Sequence, residues 1–422
     1  MSPTFRALHV RNYRLYASGQ LLSNTGTWMQ RVAQDWLVLS LTNGSGVALG
    51  ITTGLQFLPF LLFSLWGGWL ADRVRRRKFL VFTQAAMGAQ GIILGVLAIT
   101  GLVTVGQVYL FAFLLGVVSA VDNPTRQAFV GEMVRSDDLP NAVALNSASF
   151  NLGRILGPAL AGLLVAAIGT GPVFLLNGLS YLATIAALVA MRPAEFVRHK
   201  GLGEKAAVRL RDGLSYVRHR ADLILVLVIV AGVGTLGFNF QVTLALMARQ
   251  EFHRGAAEFG LLSTALAVGS LSGSLLAARR GIPSLRMVVV SAALFAAVEV
   301  GVGLMPTFAM FLVTLPLAGV LALTFSNSAQ SYLQLHSAPS VRGRVMGIYT
   351  LVFFGGTPFG SPFLGWLADN FGPRWGLIGG GLATGLVTVV ASALLVGPVR
   401  RATHLVVEQQ PAPSSPVEAA AV

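Results

Sequence analysis

There is no cysteine in these 422 residues. Disulfides, thiolate metal ligands and thiol nucleophiles are thereby excluded, and the redox compartment is left unread. Charge is scarce as well: 11% of residues are Asp, Glu, Lys or Arg against 54% hydrophobic, and the mean hydropathy is +0.71. A chain this apolar cannot fold in water around one core and belongs in a lipid bilayer. Other absences narrow the function. No Gly-x-x-x-x-Gly-Lys-Ser/Thr segment is present to cradle ATP phosphates, so the chain is not by itself an ATP-driven pump. No His-Glu-x-x-His pair and no Gly-x-Ser-x-Gly elbow occurs, which argues against a membrane protease or esterase. Enzymatic activity, a cofactor and a metal site are not expected.

The charges that do occur are grouped. The formal charge is +14, yet the cations lie in short loops between apolar runs and form no basic face with groove-reading elements, so no nucleic-acid partner is expected. The most informative loop is Gly68-Trp69-Leu70-Ala71-Asp72-Arg73-Val74-Arg75-Arg76-Arg77-Lys78, where a single carboxylate precedes a run of cations between two apolar stretches. A polytopic membrane protein uses such a loop to fix its orientation.

At about 20 residues per crossing, the chain yields twelve spans: 15–41, 46–71, 79–100, 107–128, 141–168, 172–191, 223–247, 257–278, 285–304, 308–333, 343–368 and 375–398. The first run continues into the second without a small-residue cleavage pattern and reads as a retained helix. With the N-terminus inside, Arg249, Arg254 and Arg374 are the only external Lys or Arg, and Arg31 and Arg154 lie within spans. That asymmetry predicts a multi-pass protein of the cell (inner) membrane with both termini cytoplasmic. Residues 1–191 then form one six-helix bundle and 223–398 a second. In the linker, 192–222, Val208, Leu210, Leu214, Tyr216 and Val217 alternate with Arg209, Arg211, Asp212 and Arg218, the pattern of an amphipathic helix at the membrane surface or of a simple linker. Residues 399–422 form a cytoplasmic tail, and Gln409–Val422, rich in Pro, Ser and Ala, is expected to be disordered.

The two blocks are copies. One constant offset carries Gly116, Gly153, Gly157, Gly162 and Gly169 onto Gly319, Gly356, Gly360, Gly365 and Gly372, more coincidence than 48 glycines in 422 residues produce by chance. The expected fold is an all-α membrane protein of twelve transmembrane helices in two pseudo-symmetric six-helix bundles. Alternating-access transporters are built this way, with the substrate near midplane between the halves.

Several motifs carry a resemblance to a known family. The 68–78 loop resembles the Gly-x-x-x-Asp-Arg-x-Gly-Arg-Arg signature of the major facilitator superfamily, with Arg75 where the second glycine is usual. Gly153-Arg154-Ile155-Leu156-Gly157-Pro158-Ala159-Leu160-Ala161-Gly162 is similar to the span 5 motif of that superfamily's proton-coupled antiporters, with Ala144 replacing an upstream glycine. Asp122-Asn123-Pro124-Thr125-Arg126-Gln127-Ala128, Asn141 to Ser147 and Phe174-Leu175-Leu176-Asn177 resemble the exporter branch that includes the enterobactin exporter and macrolide efflux proteins. The resemblance implies that Asp72 caps the start of span 11 and that Arg76 meets an acid at the end of span 4, carried over here as Asp122. Arg73 and Arg126 join this gating group, which would hold the outward-open state. Topology alone is the competing explanation for Arg75, Arg77 and Lys78.

The glycines of span 5 allow close backbone approach, and Gly269 and Gly273 on span 8 supply a similar pair. Spans 5 and 8 are therefore expected to meet between the halves, with a local bend at Pro158. Charges inside a bilayer are costly and mark coupling sites: Arg31, Asp35, Arg154 and Glu299 qualify. Arg31 and Asp35 stand four residues apart on one face with Gln34 beside it. They form either a self-neutralising pair or, since span 1 lines the central cavity in the family's fold, a substrate or proton site. Arg154 is placed to hold Asp35 ionised or to mask it, and Glu299 lies on span 9, peripheral in that fold. The six histidines fall outside the spans, so proton coupling must rest on carboxylates. The expected function is a secondary transporter, a proton-coupled exporter of a drug, siderophore or other amphipathic small molecule, with the bilayer, protons and that molecule as partners and a monomer compatible with all of this. An importer of a small nutrient would use the same fold, and a non-transporting sensor is the third reading.

Overall fold

The computed structural model describes residues 3–71, 73–197, 210–278, 283–339 and 341–408. Asp72, the linker stretch 198–209, the loop 279–282, position 340 and the tail 409–422 lie outside the described residues. The first half comprises α1 (Arg11–Leu41), α2 (Gly46–Ala71), α3 (Arg76–Ile99), α4 (Val105–Met133), α5 (Leu139–Ile168) and α6 (Thr170–Ala190). A short helix, α7 (Leu210–Arg218), precedes the second half. The seventh crossing, Ala221–Glu251, is built in pieces: α8 (Ala221–Gly232), a π-turn, α9 (Phe240–Leu246) and a second π-turn. There follow α10 (Ala256–Ala278), α11 (Leu285–Gly303), α12 (Phe308–His336), α13 (Arg342–Gly355), α14 (Thr357–Phe371) and α15 (Arg374–Glu408).

Among the described residues, ten helices are long and apolar enough to cross a membrane by length and composition alone. The other two crossings fail for opposite reasons. α1 has 31 residues, but its amides and charges cancel its hydropathy. The eleventh crossing is divided at Gly356 into α13, of 14 residues, and α14, of 15. At 1.5 Å per residue α1 and the α13–α14 pair each reach roughly 45 Å, enough to traverse the bilayer. The molecule is thus an all-α membrane protein of twelve transmembrane helices. Several helices outrun their sequence-based limits. α4 continues to Met133 and α12 to His336, and α15 runs on through 399–408, where a tail is expected. His336 is consequently the last residue of a helix and not a loop residue, its ring stacked 3.9 Å from that of Tyr332.

The repeat seen in the glycines is a repeat of packing. Thr104 and Thr307 cap the starts of α4 and α12, each accepting a first-turn N–H on its hydroxyl at 3.3 Å. Gly169 and Gly372 follow α5 and α14 with φ of +81° and +100°, a region that favours glycine. Gly116 of α4 packs against α2 and Gly319 of α12 against α10, where a Cβ would come 2.6 Å from the Gln56 oxygen and 2.7 Å from the Ser270 nitrogen. Gly157 meets Thr25 and Trp28 of α1, and Gly360 meets Thr235 and Asn239 of the seventh crossing.

Among the described residues two close backbone seams join the halves, and both lie away from the face carrying Arg73 to Lys78, here called the basic face. In one, α5 meets α10: a Cβ on Gly162 would stand 2.8 Å from the Ala256 oxygen and 2.9 Å from Gly260 Cα. In the other, α2 meets α14, with Gly46 on Gly365, Gly50 on Ser361 and Pro362, and Gly54 on Pro358. Bare backbone permits this approach where lipid offers no hydrophobic drive. The expected meeting of spans 5 and 8 is therefore present, through Pro158 and Gly162 of the span 5 motif against Ala256 and Gly260, but the other expected glycines lie elsewhere. Gly269 and Gly273 pack on Pro316 and Val320 of α12, inside the second half, and Gly153 and Gly157 pack on α1. At the basic face the halves are parted: Gly68 at the end of α2 and Gly343 and Gly347 at the start of α13 have no atom within 4 Å of a would-be Cβ.

Candidate functional site

The polar stripe of α1 defines the site. Gln30, Gln34 and Asp35 are all buried, and each takes its partner from a different helix. Asn177 of α6 donates to Gln30 at 2.5 Å; Gln34 donates to the Val108 carbonyl of α4 at 3.2 Å and accepts from Gln56 of α2 at 3.2 Å. Asp35 reaches across to the second half, where Gln241 Nε2 donates to Oδ2 at 2.6 Å. Gln241 is available because the seventh crossing breaks at Phe238 and Asn239, both out of helical geometry, before α9 starts. π-Turns interrupting a helix recur at functional sites. Beside the break, Ser361 of α14 donates to Asn239 at 2.6 Å.

Arg31 and Asp35 do not form the self-neutralising pair that their spacing allows. No ion pair joins them; the Arg31 guanidinium instead lies 5.2 Å from the Trp28 ring and 5.2 Å from the Phe57 ring, and its Nε has no hydrogen-bond partner. A cation over aromatic faces is held without a counter-ion. Asp35 Oδ1 is likewise unpartnered. Phe57 and Phe60 of α2 face Phe354 of α13 across the halves at 6.2 and 6.1 Å between ring centroids, and Trp28 meets Phe150 of α5 at 5.9 Å. Away from the basic face, the Trp36–Phe259 stack at 6.2 Å and a bond from Gln250 to the Gly44 carbonyl at 2.6 Å close the space.

The other sequence-derived candidates are dispersed. Arg154 is half-buried on α5 next to Gly153, at the level of Asn24, roughly 16 Å of helix rise from Asp35. It therefore neither pairs with that acid nor masks it. Glu299 is buried between α11, α15 and the break in the seventh crossing, where a Cβ on Gly237 or Gly380 would come 3.3 or 3.5 Å from its carboxylate oxygens. Its Oε2 is unpartnered, and it is not in contact with the α1 cluster.

At the basic face the anticipated Arg76–Asp122 contact is replaced by two separate clusters. Arg76 pairs with Glu132 at 2.5 Å and donates to the Ala71 carbonyl at 3.0 Å. Asp122 pairs with Arg126 and accepts from Thr83 at 2.5 Å and Gln84 at 3.1 Å, so it ties α3 to α4. Arg126 extends to Asn24 of α1 at 3.4 Å. The repeat positions in the second half, Phe325 and Ala329, are fully buried apolar residues. Arg73 lies over the Trp69 ring at 3.9 Å. The Asp72 clasp falls outside the described residues.

A family model described as transmembrane secretion effector matches residues 2–420. The chain belongs to this family of major facilitator superfamily transporters. Among related transporters, the staphyloferrin A transporter of Staphylococcus aureus is 26% identical over 85% of this chain and 90% of its own length. The enterobactin exporter EntS of Citrobacter koseri is 27% identical over 94% and 93%, and macrolide efflux protein A of Streptococcus pyogenes 23% identical over 83% and 89%. The fold matches that of a bacterial homologue of the human lysosomal transporter Spinster in its inward-facing, unoccupied conformation, with a TM-score of 0.73, 15% identity, and coverage of 92% of this chain and 97% of that one.

Sequence reasoning missed Gln56, Ser361, Glu132 and Asp369 in this transporter. Gln56 and Ser361 stand in apolar runs, where a lone amide or hydroxyl satisfying a neighbour is the ordinary reading. A signal existed for Glu132: it is the acid nearest the true end of α4.

Proposed function

We propose that this transporter exports an amphipathic small molecule with an anionic or strongly polar head by alternating access, in exchange for protons. In this reading the basic face and both termini are cytoplasmic, as the positive-inside rule requires, and the described conformation is open to the cytoplasm. The bond from Gln241 to Asp35 carries the reading: a buried carboxylate of one half is held by a donor of the other, at the seam that must part for the far side to open. An N–H donor is a partner for the charged carboxylate. Parting the seam removes that donor and turns Asp35 to outside water, where it takes a proton; closing the seam returns the donor and releases the proton inward. Arg31 and Arg154, which form no ion pair among the described residues, would hold the anionic head, and Trp28, Phe57, Phe60, Phe150 and Phe354 the apolar body. The names of the relatives, two siderophore transporters and a macrolide efflux protein, support cargo of this kind and favour export over uptake. Asp122 and Arg126 brace the first half from within, while the clasp at Asp72 forms when the cytoplasmic face closes.

The test uses everted vesicles with an internal acidity dye. Adding a catecholate or hydroxycarboxylate siderophore, or a macrolide, should release protons from acidified vesicles, and Asp35→Asn should abolish this while the compound still binds. Gradient-driven uptake at the wild-type rate in Asp35→Asn would remove Asp35 from the coupling role, and uptake indifferent to any proton gradient would remove antiport itself.

A further inference from the structure

The pentapeptide Gly-Trp-Leu-Ala-Asp occurs twice, as Gly68 to Asp72 and as Gly365 to Asp369. The copies are not repeat partners, because the glycine offset pairs Gly365 with Gly162. α2 and the eleventh crossing run antiparallel along one seam, so α14 ends on this motif where α2 begins, and α2 ends on it towards the end of the crossing where α13 begins. At the face away from the basic loops, the second copy is fully docked. Asp369 Oδ1 accepts from the Gly46 N–H at 2.6 Å, and Oδ2 accepts from the Val47 N–H at 2.9 Å and the Ser45 hydroxyl at 3.2 Å. These N–H groups belong to the first turn of α2 and have no intrahelical acceptor. Ser45 caps the next one, Ala48, at 3.2 Å. One turn below Asp369, a Cβ on Gly46 would stand 2.6 Å from the Gly365 oxygen. A carboxylate of one half thus caps a helix N-terminus of the other, with the dipole and two orphan donors both favouring it.

Gly68 is bare, and so are Gly343 and Gly347 at the start of α13, whose four-residue spacing reproduces that of Gly46 and Gly50 at the start of α2. Glycines spaced for helix contact with nothing against them mark a seam whose partner is withdrawn. We infer that Asp369 is the gating residue of the outer face and that the two ends of this seam form a mirrored pair of clasps: Gly365–Asp369 docks on α2 when the protein opens to the cytoplasm, the Gly68 end of α2 docks on the start of α13 when it opens outward, and the two are never engaged together. The inference rests on the alternating-access reading above.

The natural absence of cysteine makes the test direct. Spin labels at Leu41→Cys with Asn370→Cys report the outer face, and labels at Ser136→Cys with Leu335→Cys the cytoplasmic face, in the full-length protein in lipid nanodiscs. Asp369→Asn removes the charge and one acceptor oxygen; it should raise the long-distance outer population relative to the short one roughly tenfold, the loss expected for one charge-assisted hydrogen bond, and shorten the cytoplasmic distances in step. Asp72→Asn should do the reverse. Gly365→Ala, which leaves the carboxylate in place, should match Asp369→Asn and carries the test should that variant fail to assemble. Distances unchanged by Asp369→Asn and Gly365→Ala, or moved as in Asp72→Asn, overturn the mirrored clasp. If the unsubstituted labelled pairs never show opposed changes of the two faces across a pH series, alternating access itself fails, an outcome distinct from failure of the clasp.

Discussion

Gly162→Ala tests how firmly the α5–α10 seam holds the described conformation. The added Cβ would stand 2.8 Å from the Ala256 oxygen, 2.9 Å from Gly260 Cα and 3.1 Å from the Ala257 oxygen. Each neighbour is backbone, so no side-chain rotation relieves the contact, and overpacking of this kind costs about 1–3 kcal/mol. The whole cost falls on the conformation in which this seam is closed, since parting the halves removes all three contacts. The closed-to-open ratio at the outer face should therefore fall roughly 5- to 150-fold. Gly269→Ala is the control: its Cβ would strike the Pro316 backbone of α12, a contact inside the second half that both conformations keep. It should lower thermal stability without moving the ratio. Spin-label distances at the outer face, read with protein yield and melting temperature, separate the two effects. An unchanged outer-face ratio in folded Gly162→Ala, or an equal shift in Gly269→Ala, would refute the assignment of this seam as the moving contact.

Two further predictions concern the basic face. Asp122→Asn leaves Arg126 buried without its counter-ion, which should cost about 3–5 kcal/mol of stability and show as lower yield and melting temperature, partly restored by Arg126→Leu; a single variant of wild-type stability would exclude a bracing role. Arg76 and Glu132 have side chains 23% and 34% exposed, so their coupling in a double-mutant cycle should not exceed about 1 kcal/mol. Arg76→Ala should still cost more than Glu132→Gln, because it also gives up the Ala71 carbonyl; equal losses would contradict this.

The crossings and their duplication were legible because lipid imposes length and apolarity on a helix, and because close helix contact demands glycine at fixed places. Asp35 was legible for the same reason in reverse, as a charge that lipid would otherwise reject. Its partner was not. Gln241 gains its meaning from a break in the seventh crossing, and a break within a continuous apolar run leaves no periodic trace. Arg76 was assigned to Asp122 because hydropathy ends the fourth crossing at 128, whereas α4 continues to Met133 and brings Glu132 to the helix end. Gly269 and Gly273 have the spacing of a contact between the halves, but spacing does not name the neighbour, and theirs is α12. Asp369 read as an external loop residue, since capping another helix depends on where that helix begins in space.

The polarity of α1 bears on how the protein is made. Of the twelve crossings this helix leaves the ribosome before the others, yet it is the crossing least able to enter lipid by itself. Its buried groups wait for Gln56, Val108, Asn177 and finally Gln241, which emerge later in that order. α1 therefore enters the bilayer on the strength of α2, to which a tight turn at Asn43 and Gly44 ties it. Biogenesis of the first half is a cooperative event, in which a helix is accepted by the membrane only once its neighbours arrive.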